Sequence, residues 1–151
     1  MSRRPPSRGF TLIELAVTLL VLALAAAVVV PGIGKSIENV RARAEISGFA
    51  AYLRAAREQA ITRGEAQSVR LEPETRSLVI TAAGSDAVRS SRSFTYLARI
   101  ESDPPDASVV TFAPLGFSNG VTYHIFTPGN RHYLVIVDPM TGRVSSRPAE
   151  S

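Results

Sequence analysis

The chain has 151 residues, no cysteine, and 17 Lys plus Arg against 13 Asp plus Glu, a formal balance of +4. Disulfides, thiolate zinc sites and thiol catalysis are therefore excluded, and the length suits one domain of ordinary size. The high overall basicity says little about nucleic acid. Arg3, Arg4 and Arg8 sit in a short head, and from Lys35 onward 14 basic residues face 12 acidic ones, which leaves only +2.

Behind the basic head, residues 15–34 carry no charge and residues 15–30 are almost wholly aliphatic. Counted from Phe10, the run approaches the ~20 residues that cross a bilayer. A helix is the one form that could carry this segment through hydrocarbon, because every backbone amide must find an internal partner there. The arginines predict a cytoplasmic N-terminus, opposed by Lys35, Arg41 and Arg43 and partly balanced by Glu38 and Glu45. An ordinary secretory signal peptide, cut near Ala23-Leu24-Ala25, is the alternative. Two features oppose it: the apolar run continues to Ile33, and Glu14 sits between Ile13 and Leu15. A carboxylate at the centre of a membrane helix costs about 2.5–3.5 kcal/mol, and less near an interface, so an acid in this place calls for a partner. Pro31 removes a helical hydrogen bond and crowds the carbonyl four residues back, which predicts either a kink or the end of the apolar helix.

Arg8-Gly9-Phe10-Thr11-Leu12-Ile13-Glu14-Leu15 resembles the class III signal sequence of type IV pilins and type II secretion pseudopilins, in which a basic head and Gly precede Phe-Thr-Leu-Ile-Glu and a long apolar helix. The resemblance implies that a prepilin peptidase cuts between Gly9 and Phe10 and methylates the new amine of Phe10. Gly9 suits a scissile bond that must lie extended and unhindered, having no Cβ. The implied role of Glu14 is registration. Cleavage creates a cationic amine four residues upstream, and in low dielectric that amine, on the same or a neighbouring subunit, offsets the desolvation of the carboxylate. The implied division is a leader at 1–9, a transmembrane and filament-core helix at 10–34, and a periplasmic pilin-like domain at 35–151.

Residues 36–63 turn amphipathic. Ile37, Val40 and Ala44 form one apolar row, and Ile46, Phe49, Leu53, Ala56 and Ala60 continue at three- and four-residue steps. Gly64 is placed to end this helix. Residues 10–63 together predict a spine of roughly 80 Å at 1.5 Å per residue. Short strands follow. Residues 68–71 and 78–81 read as a hairpin around 72–76, residues 93–97 as a weaker strand, and residues 108–112, 121–126 and 132–137 as three more. Residues 138–142 form a turn, and the tail at 147–151 reads as disordered. One long helix followed by strands predicts an α+β fold: a helical spine, transmembrane in its first half, packed on an antiparallel β-sheet head.

Val110-Thr111-Phe112-Ala113-Pro114-Leu115-Gly116 and Gly142-Arg143-Val144 are similar to the C-terminal strands of GspH/FimT-like minor pilins. The resemblance favours a minor pseudopilin of a type II secretion system that helps initiate or cap the periplasmic filament. A minor type IV pilin concerned with pilus assembly or DNA uptake is the alternative, and a periplasmic protein with an ordinary signal peptide stands third. Implied partners are the prepilin peptidase, other major and minor pseudopilins through the N-terminal helix, the inner membrane, and a secreted substrate or the outer-membrane channel. Some relatives take up DNA through Gly-Arg-x-Arg; here Gly142-Arg143-Val144-Ser145 lacks the second arginine, although Arg147 lies nearby, so Arg143 and Arg147 are the candidate nucleic-acid contacts. No catalytic constellation, cofactor or metal is expected. His124 and His132 stand in separate strand-like runs, Asp103 and Asp106 flank two prolines in what reads as a turn, and Ser90-Ser91 and Ser145-Ser146 lack a nucleophile-elbow context.

Overall fold

A computed structural model describes residues 10–149, with the side chains of residues 28–36 outside the description. The leader at 1–9, including Gly9, and the side chain of Pro31 therefore lie outside the described residues. Helix α1 runs Leu12–Arg63, and eight strands follow: β1 Gln67–Glu72, β2 Ser77–Ala82, β3 Val88–Ser93, β4 Arg99–Asp103, β5 Val109–Phe112, β6 Val121–Phe126, β7 His132–Val137 and β8 Val144–Pro148. The chain falls into two compact units that divide between Ile37 and Glu38.

The start of α1 is set locally. Thr11 Oγ1 accepts from Glu14 N–H at 3.3 Å, the N-cap arrangement of a Thr-x-x-Glu box, and Glu14 stands in the first turn. The far end is a Schellman motif. Gly64 takes φ +63°, its N–H donates to Ile61 O, and Glu65 N–H donates to Ala60 O.

In the second unit the strands make two four-stranded antiparallel sheets, β3-β2-β1-β5 and β4-β6-β7-β8. The β1–β2 hairpin pairs Val69 with Ile80 and Leu71 with Leu78, which puts all four on the buried side. The core joins Ile46, Phe49, Leu53, Ala56 and Ala60 of α1 to Val69, Ile80, Val110 and Phe112 of one sheet and Tyr123, Ile125 and Val135 of the other. Phe49 lies at its centre, 5.1 Å from the Phe94 ring and 5.1 Å edge-on from that of Tyr123.

Three sequence expectations are corrected. The apolar row of Ile37, Val40 and Ala44 is exposed, because the inward stripe runs back from Ile46 to Ala42, and residues two positions away lie about 200° round the helix. The strand expected at 93–97 falls instead at Val88–Ser93. Phe94 and Leu97 are buried through a bend whose amides at Thr95 and Tyr96 donate to the Glu45 carboxylate. The tail is not free at its start: Arg147 and Pro148 belong to β8, opposite Leu134 and Tyr133, and Ala149 N–H donates to His132 O. Among the described residues no helix is long and apolar enough to cross a membrane; the described side chains of the aliphatic run stop at Ala27.

Candidate functional site

In the first unit, α1 is apolar on every side. Phe10, Leu12, Ile13, Leu15, Val17, Leu19 to Leu22 and Leu24 are all more than half exposed, which is the signature of a helix that is covered by something outside its own chain. Glu14 is the acid within this surface, exposed and four residues beyond Phe10. Thr18 Oγ1 donates to the carbonyls of Glu14 and Leu15, so this hydroxyl is turned back onto the backbone. Phe10 thus lies just ahead of the Thr11 cap and Glu14 in the first turn of an open helix start. The capping role of Thr11 went unread in the sequence, although Thr-x-x-Glu before an apolar run was its signal.

In the second unit, the residues that carry the C-terminal resemblance prove to be a clamp around Arg57. Its Nε donates to Gly116 O at 3.0 Å and to Thr141 O at 3.1 Å, tying the 113–117 turn and the 138–142 turn to α1. Both glycines are required. Gly116 has φ +90° and Gly142 φ +60°, and a Cβ on Gly142 would stand 2.1 Å from Gly116 O. Ser118 completes the join, its N–H donating to Pro139 O and its hydroxyl to Asp138 O. The carboxylate of Asp138 accepts from Thr141 N–H and Thr141 Oγ1, at 2.8 and 2.9 Å. These two bonds, backbone first, hold its pKa below the ordinary value.

Beside this clamp, Arg54, Arg57 and Arg143 line a groove of about 970 Å³ with Glu58, Asp138 and the wall residues Ile136 and Val144. Arg147 lies in a neighbouring opening of about 370 Å³, with Arg43, Ile46, Tyr133 and Pro148. Arg143 and Arg147 therefore share one seam between α1 and β8 but not one pocket.

His124 and His132, which read as separate, are diagonal neighbours on β6 and β7. Their Nδ1 and Nε2 atoms lie 2.9 Å apart, and His132 stacks on Phe126, over which Arg99 sits at 4.3 Å. Among the described residues no three metal-ligating side chains converge. Tyr123 is fully buried with its hydroxyl unpartnered among the described atoms, and burial drives its pKa well above the usual phenol value.

The chain is similar in fold to the type IV minor pilin FimU of Pseudomonas aeruginosa, at 18% identity and TM-score 0.60 over 72% of this chain and 98% of that one. It is similarly related to the minor pseudopilin EpsH of the Vibrio cholerae type II secretion system, at 18% identity and TM-score 0.58 over 74% of this chain and 97% of that one. No curated protein matches in sequence. Residues 4–30 match the prokaryotic N-terminal methylation motif, and residues 45–142, which span the helix face of the core, β1 to β7 and the Arg57 clamp, match the type II transport protein GspH family. The chain belongs to the GspH family of type II transport proteins, with a prokaryotic N-terminal methylation motif at its head.

Proposed function

We propose that this protein is a minor pseudopilin of a type II secretion system, an assembly subunit without catalytic activity. Prepilin peptidase cuts between Gly9 and Phe10 and methylates Phe10. Residues 10–34 then hold the subunit in the inner membrane as a single pass, with residues 35–151 in the periplasm, and enter the pseudopilus core beside other pseudopilins. Within the filament the subunit helps initiate or cap polymerisation, where its head meets a secreted substrate or the outer-membrane channel. The observation that carries this reading is the open helix start. An all-round apolar surface with Glu14 in its first turn lies within the methylation motif and has no cover among the described residues of its own unit.

Phe10 and Glu14 are four residues apart, so an amine created at Phe10 meets a carboxylate of its own or an adjoining helix in low dielectric, where such a pair is strongest. Pro31 supplies a bend where neighbouring helices pack. The fold likeness to FimU favours a second reading, a minor type IV pilin; the filament with which the subunit co-purifies separates the two.

Mass spectrometry of the protein recovered from cell membranes tests the central claim. The expected N-terminus is methylated Phe10. Retention of residues 1–9, or a start near Ala26, would overturn it.

A further inference from the structure

Five arginines lie along the seam where α1 passes β8. Arg54 and Arg57 lie 11 and 14 residues beyond Arg43 on the helix, which at 100° per residue keeps the three within an arc of about 60° over roughly 21 Å. Arg143, just past the 138–142 turn, lines the same groove as Arg54 and Arg57, and Arg147 of β8 lines the opening that holds Arg43. Among the described residues the ion pairs are Arg89–Glu65 and Arg99–Glu101, so none of the five has a described carboxylate within 4.0 Å. From Lys35 onward there are 14 basic and 12 acidic residues; removing these five and the two acids of the groove, Glu58 and Asp138, leaves nine against ten. The positive excess of this part of the chain is therefore gathered in the seam.

Two of the five are held in place. Arg54 Nε donates to Val144 O at 3.3 Å and Arg57 Nε to the carbonyls of Gly116 and Thr141, which fixes both side chains and leaves their terminal nitrogens for a second acceptor. A guanidinium fixed in this way presents its fork with less entropy to lose, and the fork fits a carboxylate at two points.

We infer that the α1–β8 seam docks an acidic segment of a neighbouring protein, one whose carboxylates are spaced along an extended chain. The reading goes beyond the pseudopilin assignment and rests on it only in taking the head as a protein-assembly module; the leader processing plays no part. Two features favour a peptide over nucleic acid. Glu58 and Asp138 interrupt the positive field of the larger groove, which a uniformly charged phosphate backbone would meet as repulsion and a peptide can answer with a neutral or basic residue. The walls are also apolar in part, with Ile46, Tyr133 and Pro148 in one opening and Ile136 and Val144 in the other, matching a chain of mixed side chains. Arg54 covers the Val144 carbonyl and Pro148 has no N–H, so the edge of β8 offers little for an added strand, and side-chain pairing carries the recognition.

The test uses the full chain in a non-ionic detergent. Its probe is a fluorescein-labelled twelve-residue peptide with Glu at every third position between Ala and Ser, beside the same peptide with Gln for Glu. Arg43, Arg143 and Arg147 make no side-chain hydrogen bond within the described structure, so R43Q/R143Q/R147Q removes charge without unpicking the fold; circular dichroism checks this. The Glu peptide should bind at least tenfold tighter than the Gln peptide, weaken as salt rises, and lose at least tenfold in the triple variant. R89Q, away from the seam, should bind as the parent does. Equal binding of the two peptides, or unchanged binding in the triple variant, would overturn the inference. So would a 20-base-pair duplex that binds tighter than the Glu peptide and depends on the same three arginines, since the seam would then be a nucleic-acid surface. A failure here leaves the N-terminus measured in cells untouched, and the reverse also holds.

Discussion

Between residues 12 and 27 the side chains of α1 are almost wholly aliphatic and open on all sides, Leu20 at 61% and Leu24 at 62% exposure. Farther along the same helix, Phe49, Leu53, Ala56 and Ala60 are at 0%. Both stretches supply apolar side chains; what differs is that the second sets them at a helical period among charged residues, whereas the first carries one charge, Glu14. From Ala42 the apolar positions fall at steps of four and three and leave the remaining faces to Arg41, Arg43, Arg54 and Glu58, so two sheets can close over one stripe. In the first stretch no face is polar enough to be left in water and none is chosen as the inside. Apolar area that the chain does not bury is stabilisation deferred to an outside partner, whether lipid or another helix.

If this contrast is right, truncation in the second stretch lowers the stability of the head, whereas truncation in the first changes only its associations. Phe49→Ala removes the ring that links α1 to Phe94 and Tyr123, and should cost about 3–5 kcal/mol in urea unfolding of the head, read by near-ultraviolet circular dichroism. Leu20→Ala deletes a side chain of similar apolar character and should leave that transition within about 0.5 kcal/mol of the parent. A matching loss in both variants would break the comparison.

The Arg57 clamp comes next in size. Gly142→Ala places a Cβ 2.1 Å from Gly116 O on a residue at φ +60°, so the turn must move and the Arg57 bonds with it. Left-handed strain and overpacking together should cost roughly 2–4 kcal/mol. Gly64→Ala, also left-handed but with nothing within 4 Å, is the internal control and should cost only the conformational part, about 1 kcal/mol.

Glu45→Gln follows. Its carboxylate accepts from both Thr95 and Tyr96 N–H, at 2.9 and 2.7 Å, and the amide keeps one acceptor oxygen of the two. A loss of about 1–2 kcal/mol is expected, with faster amide exchange at Thr95 and Tyr96 and little change in the β1–β2 hairpin.

These sites also mark what the sequence could and could not convey. The β1–β2 hairpin, β6 and β7 were legible, because alternation of buried and open positions is a local pattern. β3 and β4 were not. Val88-Arg-Ser-Ser-Arg-Ser93 is a polar edge strand that buries none of its side chains, and Arg99–Asp103 buries only Ile100, so neither shows the alternation on which strand reading depends. The motif glycines were visible, but the partner that explains them, Arg57, is 59 residues from Gly116, and no local pattern announces it. The arginine seam was half legible for the same reason. Arg143 and Arg147 drew notice as neighbours in the chain, while Arg43, Arg54 and Arg57 join them only through the fold.

The smallest effect on stability belongs to the residue with the largest expected effect on function. Glu14 is exposed, sits at the third position of α1, and its carboxylate has no hydrogen-bond partner among the described residues. Glu14→Ala should therefore leave unfolding of the head within about 0.5 kcal/mol of the parent, since a first-turn carboxylate is worth about 0.3–1 kcal/mol to its own helix, and that end of α1 lies outside the head. Cleavage at Gly9 should also proceed, because the scissile bond lies ahead of the helix. What should fail is incorporation: sheared filaments should lack the variant while membranes retain it, and Glu14→Asp should restore part of the signal. Normal incorporation of Glu14→Ala would leave the exposed helix in need of a different registering group, because no other side chain between Phe10 and Ala27 carries a charge to serve that purpose.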